Sequence, residues 1–309
     1  MSATPIILDV DPGHDDAVAI MLACGAPELE LLAVTTVAGN VPLEKTTHNA
    51  LRVLSLIGHT HVPVAAGAAA PLIRPLHTAE DIHGESGLGG PEIPDPSFEP
   101  DERGATRLIA DTLRAAPGPV TLVPVGPLTN VALFLREYPE LKERVARISL
   151  MGGSIGLGNT TPAAEFNVYV DPEAAREVFE SGLRITMSSL DVTYRAGAGP
   201  SERERLRSLG RVGTVVAEFL EFFAATYERI YGFDAPPPHD AVAVAATFEP
   251  SLLKTRPMRV DVECESELTR GETVCDFYGV TGKPPNAEVG VGLNREGFFD
   301  LLYRSLARL

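Results

Sequence analysis

Short apolar runs alternate along the chain with segments in which apolar residues recur at helical spacing. The runs predict β-strands, and the longer segments predict helices that follow most of these strands. Unbroken apolar runs, such as residues 6–10 and 31–37, are typical of strands buried on both faces of a parallel sheet. The pattern therefore predicts an α/β fold with a mainly parallel central sheet flanked by helices. Ligands in such sheets bind at the carboxyl ends of the strands.

The pattern contains no clean linker and no repeat, so we predict a single domain over residues 1–309, with an irregular helical part around 201–250. Residues 70–100 are rich in Pro, Gly and acidic residues and predict a long loop, which is often a lid or a binding loop. The predicted strands are 6–10, 31–37, 120–125, 148–151 and 185–188, with shorter ones at 259–262 and 273–277. The predicted helices are 15–24, 43–57, 128–136 and 172–180, with a final helix from residue 294.

The charge balance changes the list of expected partners. The chain has 26 basic and 42 acidic residues and a net charge of −16, without a Lys/Arg run, so we expect no nucleic acid partner. The cysteines Cys24, Cys264 and Cys275 lie far apart without a CxxC pair, which predicts neither disulfides nor a zinc–thiolate site. We see no secretory signal and no membrane-spanning stretch, so the sequence predicts a cytoplasmic protein that does not enter the membrane.

The first predicted strand leads into a dense acidic segment, DVDPGHDD at residues 9–16. Asp9 and Asp11 leave the strand on one face, and after a Pro-Gly turn Asp15 and Asp16 begin a helix, whose dipole favours negative charge. Carboxylates this close raise each other's pKa unless a cation neutralises them. The alternative, helix caps beside solvated acids, is less favoured because buried charges are paired or bind metals. We therefore predict a metal-dependent enzyme with a hard cation, Ca²⁺ or Mg²⁺, because nearly all candidate ligands are oxygens.

Further polar residues follow other predicted strands. Asn40 ends the segment VAGN, and GPLTN at 126–130 is a strand-to-helix junction. One loop holds Asn159, Glu165 and Asn167, which suit hydroxyl recognition because amides both donate and accept hydrogen bonds. Purely structural roles remain as alternatives: Asn40 can belong to a turn, and Thr129 or Asn130 can make local hydrogen bonds at a helix N-terminus.

Two histidines are also candidates for the same site. His239 and Asp240 follow three prolines and begin the apolar helix 241–246, where an aspartate is often only a cap. His83 stands in the long loop, within the segment IHGE. Neither position alone indicates a function.

Taken together, the segments DVDPGHDDA, TTVAGN, IHGESGL, GPLTN, MGG, NTTPAAEFNVYVDPEAA and YGF…HD resemble the nucleoside hydrolase family of the inosine–uridine type. The resemblance extends from Ile6 to about Thr247. It implies a Rossmann-like, single-domain nucleoside hydrolase fold and calcium-dependent hydrolysis of the N-glycosidic bond of ribonucleosides, such as inosine and uridine, to free base and ribose. It also implies a small-molecule ribonucleoside as the binding partner and a homo-oligomer, a dimer or a tetramer.

The resemblance also implies roles for particular residues. The implied Ca²⁺ ligands are the carboxylates of Asp11, Asp16 and Asp240 and the main-chain carbonyl of Thr129. Asp15 matches the general base that activates the attacking water, a role that fits a carboxylate beside a metal. The other matched positions are His239 as proton donor to the leaving base, Asp9 behind the site, and the substrate-binding residues Asn40, His83, Met151, Asn159, Glu165, Phe166 and Asn167.

The chain departs from the family pattern at two positions. His14 stands where the family often has an apolar residue, and Ala241 stands where it often has proline. We expect His14 to face either solvent or a subunit contact. Ala241 should alter the start of its helix without changing the ligand set.

An amphipathic helix is predicted over residues 212–231. Phe219 and Leu220 are assigned to core packing. Phe223, Tyr227 and Tyr231 are spaced four apart, so they line one side of the helix shortly before His239. Aromatic faces stack on nucleobases with little regard to which base is present. We therefore predict that Tyr227 contacts the substrate and that inosine is accepted as well as uridine.

Two other functions are compatible with parts of the pattern. Haloacid-dehalogenase-like phosphatases also begin with a strand that ends in DxD, but here a Pro-Gly turn and two further aspartates follow, and a later phosphate-binding Ser/Thr and Lys are not evident. A non-catalytic, calcium-stabilised ribose-binding protein would also need the oxygen ligands. Intact Asp15 and His239 favour catalysis over that alternative.

Overall fold

The structure, a computed structural model, describes residues 3–309 apart from the side chain of Tyr231. In that part of the chain the strands are β1 Thr4–Val10, β2 Leu29–Thr36, β3 Val64–Ala66, β4 Val120–Pro124, β5 Val145–Met151, β6 Ile185–Ser188, β7 Leu253–Met258, β8 Val260–Val262, β9 Thr273–Cys275 and β10 Ala287–Leu293. The α-helices are α1 His14–Gly25, α2 Leu43–Leu56, α3 Glu80–His83, α4 Ala105–Ala115, α5 Thr129–Glu137, α6 Phe166–Val170, α7 Pro172–Glu180, α8 Leu190–Thr193, α9 Pro200–Arg207, α10 Arg211–Tyr231, α11 His239–Phe248 and α12 Arg295–Leu306. Three short 3₁₀ segments, at Pro139–Arg144, Tyr194–Ala196 and Pro250–Leu252, complete the described elements.

The central sheet, as described, has eight strands in the order β3-β2-β1-β4-β5-β6-β10-β7. Every neighbouring pair is parallel except β10 and β7, which are antiparallel at one edge. This arrangement confirms the predicted single-domain α/β fold with a mainly parallel sheet. Within residues 3–309 we find no helix that is long and apolar enough to cross a membrane.

Both faces of the sheet are covered, as the unbroken apolar runs predict. In β1, Ile6 and Leu8 pack into one hydrophobic cluster with α1, α2, α10, α11 and α12, whereas Ile7 packs into a second cluster with α4, α5 and α7. Alternate side chains of a strand point to opposite faces, so a strand between two helical layers needs an apolar residue at nearly every position.

The predicted elements match the structure closely in the first two thirds of the chain and less well beyond. The prediction lacks the short strand β3, the helix α4, the strands β7 and β10, and the short helices α3, α6 and α8. Strand β10 holds two glycines, and β7 exposes Lys254 and Arg256 at the sheet edge, so neither has a strong strand pattern. The predicted strands β8 and β9 exist, but they pair only with each other, outside the central sheet.

The topology explains where a ligand can bind. From β1 the chain builds the sheet outward through β2 and β3, and then it returns to place β4 on the other side of β1. Between β1 and β4 the loops leave in opposite directions, which opens a crevice at the carboxyl ends of these two strands. Asp11 follows β1 and Val125 follows β4 at that crevice.

Candidate active site

A pocket opens at the carboxyl edge of the sheet and gathers most of the predicted site residues. Those that line it are Asp15, Asp16, Asn40, His83, Met151, Asn159, Glu165, Phe166, Asn167, Tyr227, His239 and Asp240. The other two, Asp11 and Thr129, are buried and do not line the pocket. The hydroxyl of Thr129 donates to Asp171 (2.6 Å), so that side chain serves the start of α7 and not the pocket.

The carboxylate end of the pocket consists of Asp11, Asp15, Asp16 and Asp240. Asp15, Asp16 and Asp240 each offer one oxygen, and these three atoms lie within 4.8 Å of one another. Two helices supply them from their first turns, α1 for Asp15 and Asp16 and α11 for Asp240, where the helix dipole favours negative charge. Asp16 is held by the main-chain N–H groups of Asp11 (3.0 Å) and Gly13 (2.9 Å).

In the described residues, only one of the two oxygens of the buried Asp11 carboxylate has a hydrogen-bond partner. Its Oδ2 accepts from the main-chain N–H of Asn40 (2.7 Å), but its Oδ1 is buried without a hydrogen-bond partner in the described residues. A Cβ at Gly39 would lie 2.1 Å from Oδ2, and one at Gly126 would lie 2.4 Å from Oδ1, so the backbone approaches this carboxylate closely on two sides. A buried, unpaired carboxylate oxygen is costly unless a cation meets it. The donor set therefore fits a metal ion.

The raised pKa values of the four aspartates also favour a bound cation. Burial raises the pKa of Asp11, Asp15 and Asp240 well above the usual range, and repulsion from neighbouring aspartates adds to it. Burial raises the pKa of Asp16 only to about 6, because main-chain N–H groups stabilise its charge. A cation among these groups would restore their ionised forms.

Asp9 lies behind the site and is held by neighbouring strands and α5. Its Oδ1 accepts from Thr35 (2.5 Å) and from the Asn130 amide (2.7 Å), while burial raises its pKa to about 7. Asn130 also donates to the main-chain carbonyl of Thr36 (2.9 Å), so it ties β1 to β2. Asn130 therefore does not make the local hydrogen bonds of a helix N-terminus; its side chain joins α5 to residues that are distant in the chain.

Amide and carboxylate groups form a second side of the pocket. Glu165 caps α6 and accepts from the main-chain N–H groups of Asn167 (2.9 Å) and Gly153 (2.9 Å); burial raises its pKa to about 7. The Asn167 amide donates to the carbonyl of Val125 (2.7 Å). Asn159 accepts from the main-chain N–H of Phe166 (2.9 Å). These contacts hold polar groups in fixed orientations around the pocket.

The aromatic end of the pocket consists of His83, Phe223, Tyr227 and His239. Nε2 of His239 lies 2.8 Å from the Tyr227 hydroxyl, and its Nδ1 lies 2.6 Å from the hydroxyl of Thr193. Phe223 packs edge to face on Tyr227, with ring centroids 4.6 Å apart. Burial lowers the pKa of His239 to about 3, so the ring is neutral here.

The apolar residues singled out on α10 fall into two groups in the structure. Phe219 and Leu220 are fully buried in the core, whereas Phe223 and Tyr227 line the pocket. The side chain of Tyr231, the third member of the predicted row, lies outside the described residues.

His14 corrects one expectation. It faces neither solvent nor a surface contact, because it is fully buried. Its ring stacks on His83 at 5.2 Å between centroids and lies close to three phenylalanine rings of α10. The long loop 70–100 folds over this position, which the sequence pattern could not reveal.

Several pocket residues were missed from the sequence. Ala79 and Ile82 flank His83 in and beside α3, Val125 ends the strand run of β4, and Thr160 follows Asn159. Thr193 reaches the site only through His239. Small or apolar residues carry no chemical signal, but the positions next to His83 and Asn159 could have been inferred by neighbourhood.

Fold and site together define a doubly wound α/β protein with a buried carboxylate cluster in a pocket at the switch point of its sheet. The chain belongs to the inosine-uridine preferring nucleoside hydrolase family, whose model matches residues 6–300. It is therefore a nucleosidase, an enzyme that hydrolyses the N-glycosidic bond of ribonucleosides. This membership decides against both a phosphatase and a non-catalytic binding protein.

Characterised relatives and solved structures agree on the family. The chain is 50% identical over 307 residues to the pyrimidine-specific ribonucleoside hydrolase RihA of Citrobacter koseri, covering 99% of this chain and 98% of that one. It is 51% identical over 302 residues to the protein of the same name from Escherichia coli, covering 97% of each. The solved purine-preferring ribonucleoside hydrolase from Gardnerella vaginalis has a TM-score of 0.91 and 33% identity, covering 98% of each chain. One fold thus accommodates enzymes named for different bases.

Proposed function

We propose that this enzyme is a Ca²⁺-dependent ribonucleoside hydrolase that prefers pyrimidine nucleosides and also cleaves inosine more slowly. The observation that carries the proposal is the carboxylate end itself. Three buried carboxylates meet within 4.8 Å, and a fourth, Asp11, has a buried oxygen without a partner in the described part of the chain. Amide groups and aromatic rings line the same pocket, and they suit a ribose and its base.

The proposed ligands of the cation are the carboxylates of Asp11, Asp16 and Asp240 and the main-chain carbonyl of Thr129. An all-oxygen donor set favours Ca²⁺ or Mg²⁺, and a set that includes carbonyls favours the higher coordination number of Ca²⁺. When bound, such an ion neutralises the carboxylates, orients ribose hydroxyls and makes a nearby water more acidic.

Protein side chains carry out the remaining steps of the proposed hydrolysis. Cleavage of an N-glycosidic bond builds positive charge on the sugar, as in other glycoside hydrolyses. We propose that Asp15 accepts the proton of the attacking water. Glu165, Asn159 and Asn167 hold the ribose, with Asn40, Met151 and Phe166 around it.

The departing base gains negative charge and needs a proton or a hydrogen bond. We propose that His239 supplies it. Its Nε2 contacts the Tyr227 hydroxyl and its Nδ1 contacts the Thr193 hydroxyl, so these hydroxyls orient a neutral ring that can offer an N–H hydrogen bond to the departing base. His83 and Phe223 complete the wall around the base.

Two observations support the proposed base preference. Relatives with about half of their residues identical over almost the whole chain are named pyrimidine-specific. The rings of Phe223 and Tyr227 line the pocket, and they support the expectation from the sequence that a purine is also tolerated. A pyrimidine preference with residual inosine cleavage accommodates both.

One set of measurements tests the proposal. Protein purified without added metal is analysed for its elements, and released ribose is measured with uridine, cytidine and inosine. We expect about one Ca²⁺ per chain and the highest kcat/KM for a pyrimidine nucleoside. Stoichiometric zinc without calcium would contradict the metal, and a higher kcat/KM for inosine than for uridine would contradict the base preference.

The assembly and the compartment remain predictions from the sequence. We propose a homo-oligomer, a dimer or a tetramer, on the family resemblance alone. A cytoplasmic location is proposed because the three cysteines are unpaired in the structure. Light scattering and cell fractionation test these two points.

A further inference from the structure

His14 and His83 form a pair of buried imidazole rings at the aromatic end of the pocket. Their Nδ1 atoms lie 3.1 Å apart, and Nε2 of His14 lies 2.8 Å from the main-chain carbonyl oxygen of Gly89. Since a carbonyl oxygen only accepts hydrogen bonds, His14 must carry a proton on Nε2. This contact determines the protonation of both rings.

The surroundings of His14 favour its neutral form. The ring is fully buried among three phenylalanine rings and the ring of His83, and an imidazolium there would be a desolvated charge without a counter-ion. A neutral imidazole that is protonated on Nε2 has a lone pair on Nδ1. The 3.1 Å contact then requires His83 to donate from its own Nδ1–H.

A second donor competes for Nδ1 of His83. The main-chain N–H of His14 also approaches Nδ1 of His83, at 3.3 Å. If Nδ1 of His83 accepted a hydrogen bond from that N–H, its lone pair would face the lone pair on Nδ1 of His14 at 3.1 Å, which is repulsive. Donation from Nδ1–H of His83 to His14 leaves this first-turn N–H of α1 without that acceptor. We infer that the contact between the rings decides the tautomer, because it is the shorter of the two, 3.1 Å against 3.3 Å, and because it avoids the facing lone pairs.

The consequence for His83 concerns its other nitrogen. With the proton on Nδ1, Nε2 holds a lone pair. His83 lines the pocket, and in the described part of the chain Nε2 has no protein hydrogen-bond partner and is not among the fully buried, unpartnered atoms. We propose that His14 is a positioning residue that fixes the tautomer of His83, so that His83 accepts a hydrogen bond from the substrate.

This inference rests on the proposed function and adds a rule of recognition to it. A neutral acceptor selects a substrate group that donates, because an unmatched polar group in a closed site is costly. In uridine the available donors are the N3–H of the base and the 5′-hydroxyl. Cytidine has an acceptor at N3, so its available donors are the exocyclic N4 amino group and the 5′-hydroxyl. The 2′- and 3′-hydroxyls are assigned to the carboxylate end.

The tautomer is measurable directly. We would label the metal-loaded protein with ¹⁵N-histidine, record two-bond ¹H–¹⁵N correlations, and assign His83 by the signals that His83→Gln removes. We expect Nδ1–H with a bare Nε2 on His83 in the parent. In His14→Leu, Nδ1 should become the acceptor of the main-chain N–H and the proton should move to Nε2. A parent His83 protonated on Nε2, or an unchanged tautomer in the variant, overturns the proposal.

Kinetics identify the donor. Parent and His14→Leu are compared with uridine, 3-methyluridine and 5′-deoxyuridine. Loss of one neutral hydrogen bond should lower kcat/KM for uridine by about five- to tenfold, mainly through KM. The analogue that lacks the recognised donor should be insensitive to the substitution. Equal losses with all three substrates would mean that His83 accepts from neither donor, and the proposal fails.

A matched variant separates recognition from packing. Phe222→Leu removes a ring whose centroid lies 5.1 Å from that of His14, but Phe222 does not line the pocket and makes no polar contact with either histidine. We expect this variant to keep the His83 tautomer and the order of the three substrates. If the parent does not cleave uridine at all, the proposed function fails, while the tautomer measurement still decides the role of His14.

Discussion

The carboxylate end and the aromatic end of the pocket differ in how far apart their residues lie in the chain. Three of the four acidic residues at the carboxylate end come from one strand-to-helix turn, and main-chain N–H groups hold Asp16 and Asp11 in place. The aromatic end joins α3, α10 and α11, with support from α8, through contacts between side chains. A local turn determines one end, whereas tertiary packing determines the other.

This difference suggests that the two ends of the pocket bind different parts of the substrate. We propose that the carboxylate end meets the ribose, which all nucleoside substrates share, whereas the aromatic end meets the base, which varies. Substitutions at the carboxylate end should therefore change all substrates equally, and substitutions at the aromatic end should change the ratios between them.

The largest effect is expected for Asp15→Asn. Removing the proposed general base should lower kcat by about 10²–10⁴ for uridine, cytidine and inosine alike, since the base acts on water and not on the substrate. The fold and the metal content should persist, because the other carboxylates remain. Released ribose and bound calcium are measured on the same preparations. Near-normal turnover with metal present would remove Asp15 from the mechanism.

A second test targets the close approach of the backbone to Asp11. In Gly39→Ala the new Cβ would lie 2.1 Å from Oδ2 of Asp11, so this carboxylate must move. We expect metal affinity to fall about 10- to 100-fold, as it does when groups that orient a ligand are lost. Gly118→Ala is the matched control, since its Cβ would meet no atom within 4 Å. Equal calcium affinity in the two variants would show that Asp11 needs no fixed position.

Metal removal should make the stability of the protein more dependent on pH. Without a cation the native state keeps protons on these carboxylates, whose pKa values are raised (to about 6 for Asp16 against 3.8 in the unfolded chain). Stability of the metal-free form should therefore fall as pH rises from about 4 through 6 and above. A cation at about 100 times its Kd adds about 2.7 kcal/mol to the unfolding free energy.

Thermal unfolding with and without chelator, at pH 5 and pH 8, measures this effect. The gap in Tm between the metal-loaded and metal-free forms should be larger at pH 8, because protons no longer replace the cation there. The same gap at both pH values would contradict the assignment of these carboxylates to a metal.

The smallest effects are expected at Tyr227, where two variants separate hydroxyl from ring. Tyr227→Phe removes the hydrogen bond to His239 and should lower kcat by about tenfold, with the order of substrates kept. Tyr227→Ala also removes the aromatic wall and should raise KM more for inosine than for uridine, since the larger base loses more contact area. If Tyr227→Ala leaves all three kcat/KM values unchanged, the aromatic end does not bind the base.

The fold class and most of the carboxylate end could be predicted from the amino-acid sequence. Alternating apolar runs and helix-period segments identify a parallel sheet because both signals are local, and the segment from Asp9 to Asp16 concentrates its acids within a single turn. The resemblance then led to Asp240, Glu165 and the amide residues. These lie far along the chain, and no local pattern connects them to that turn.

The environment of the histidines could not be predicted, because it depends on contacts between distant parts of the chain. His14 lies 69 residues from His83 and 75 from Gly89 in the chain, and its burial depends on how the long loop and α10 close over α1. Likewise Thr193 meets His239 only because α8 packs on α11. Hydrophobic periodicity reports which face of an element is buried, but not which partner it meets. The partner follows from the packing of the whole chain, and with it the hydrogen bonds that determine which ring nitrogen carries the proton.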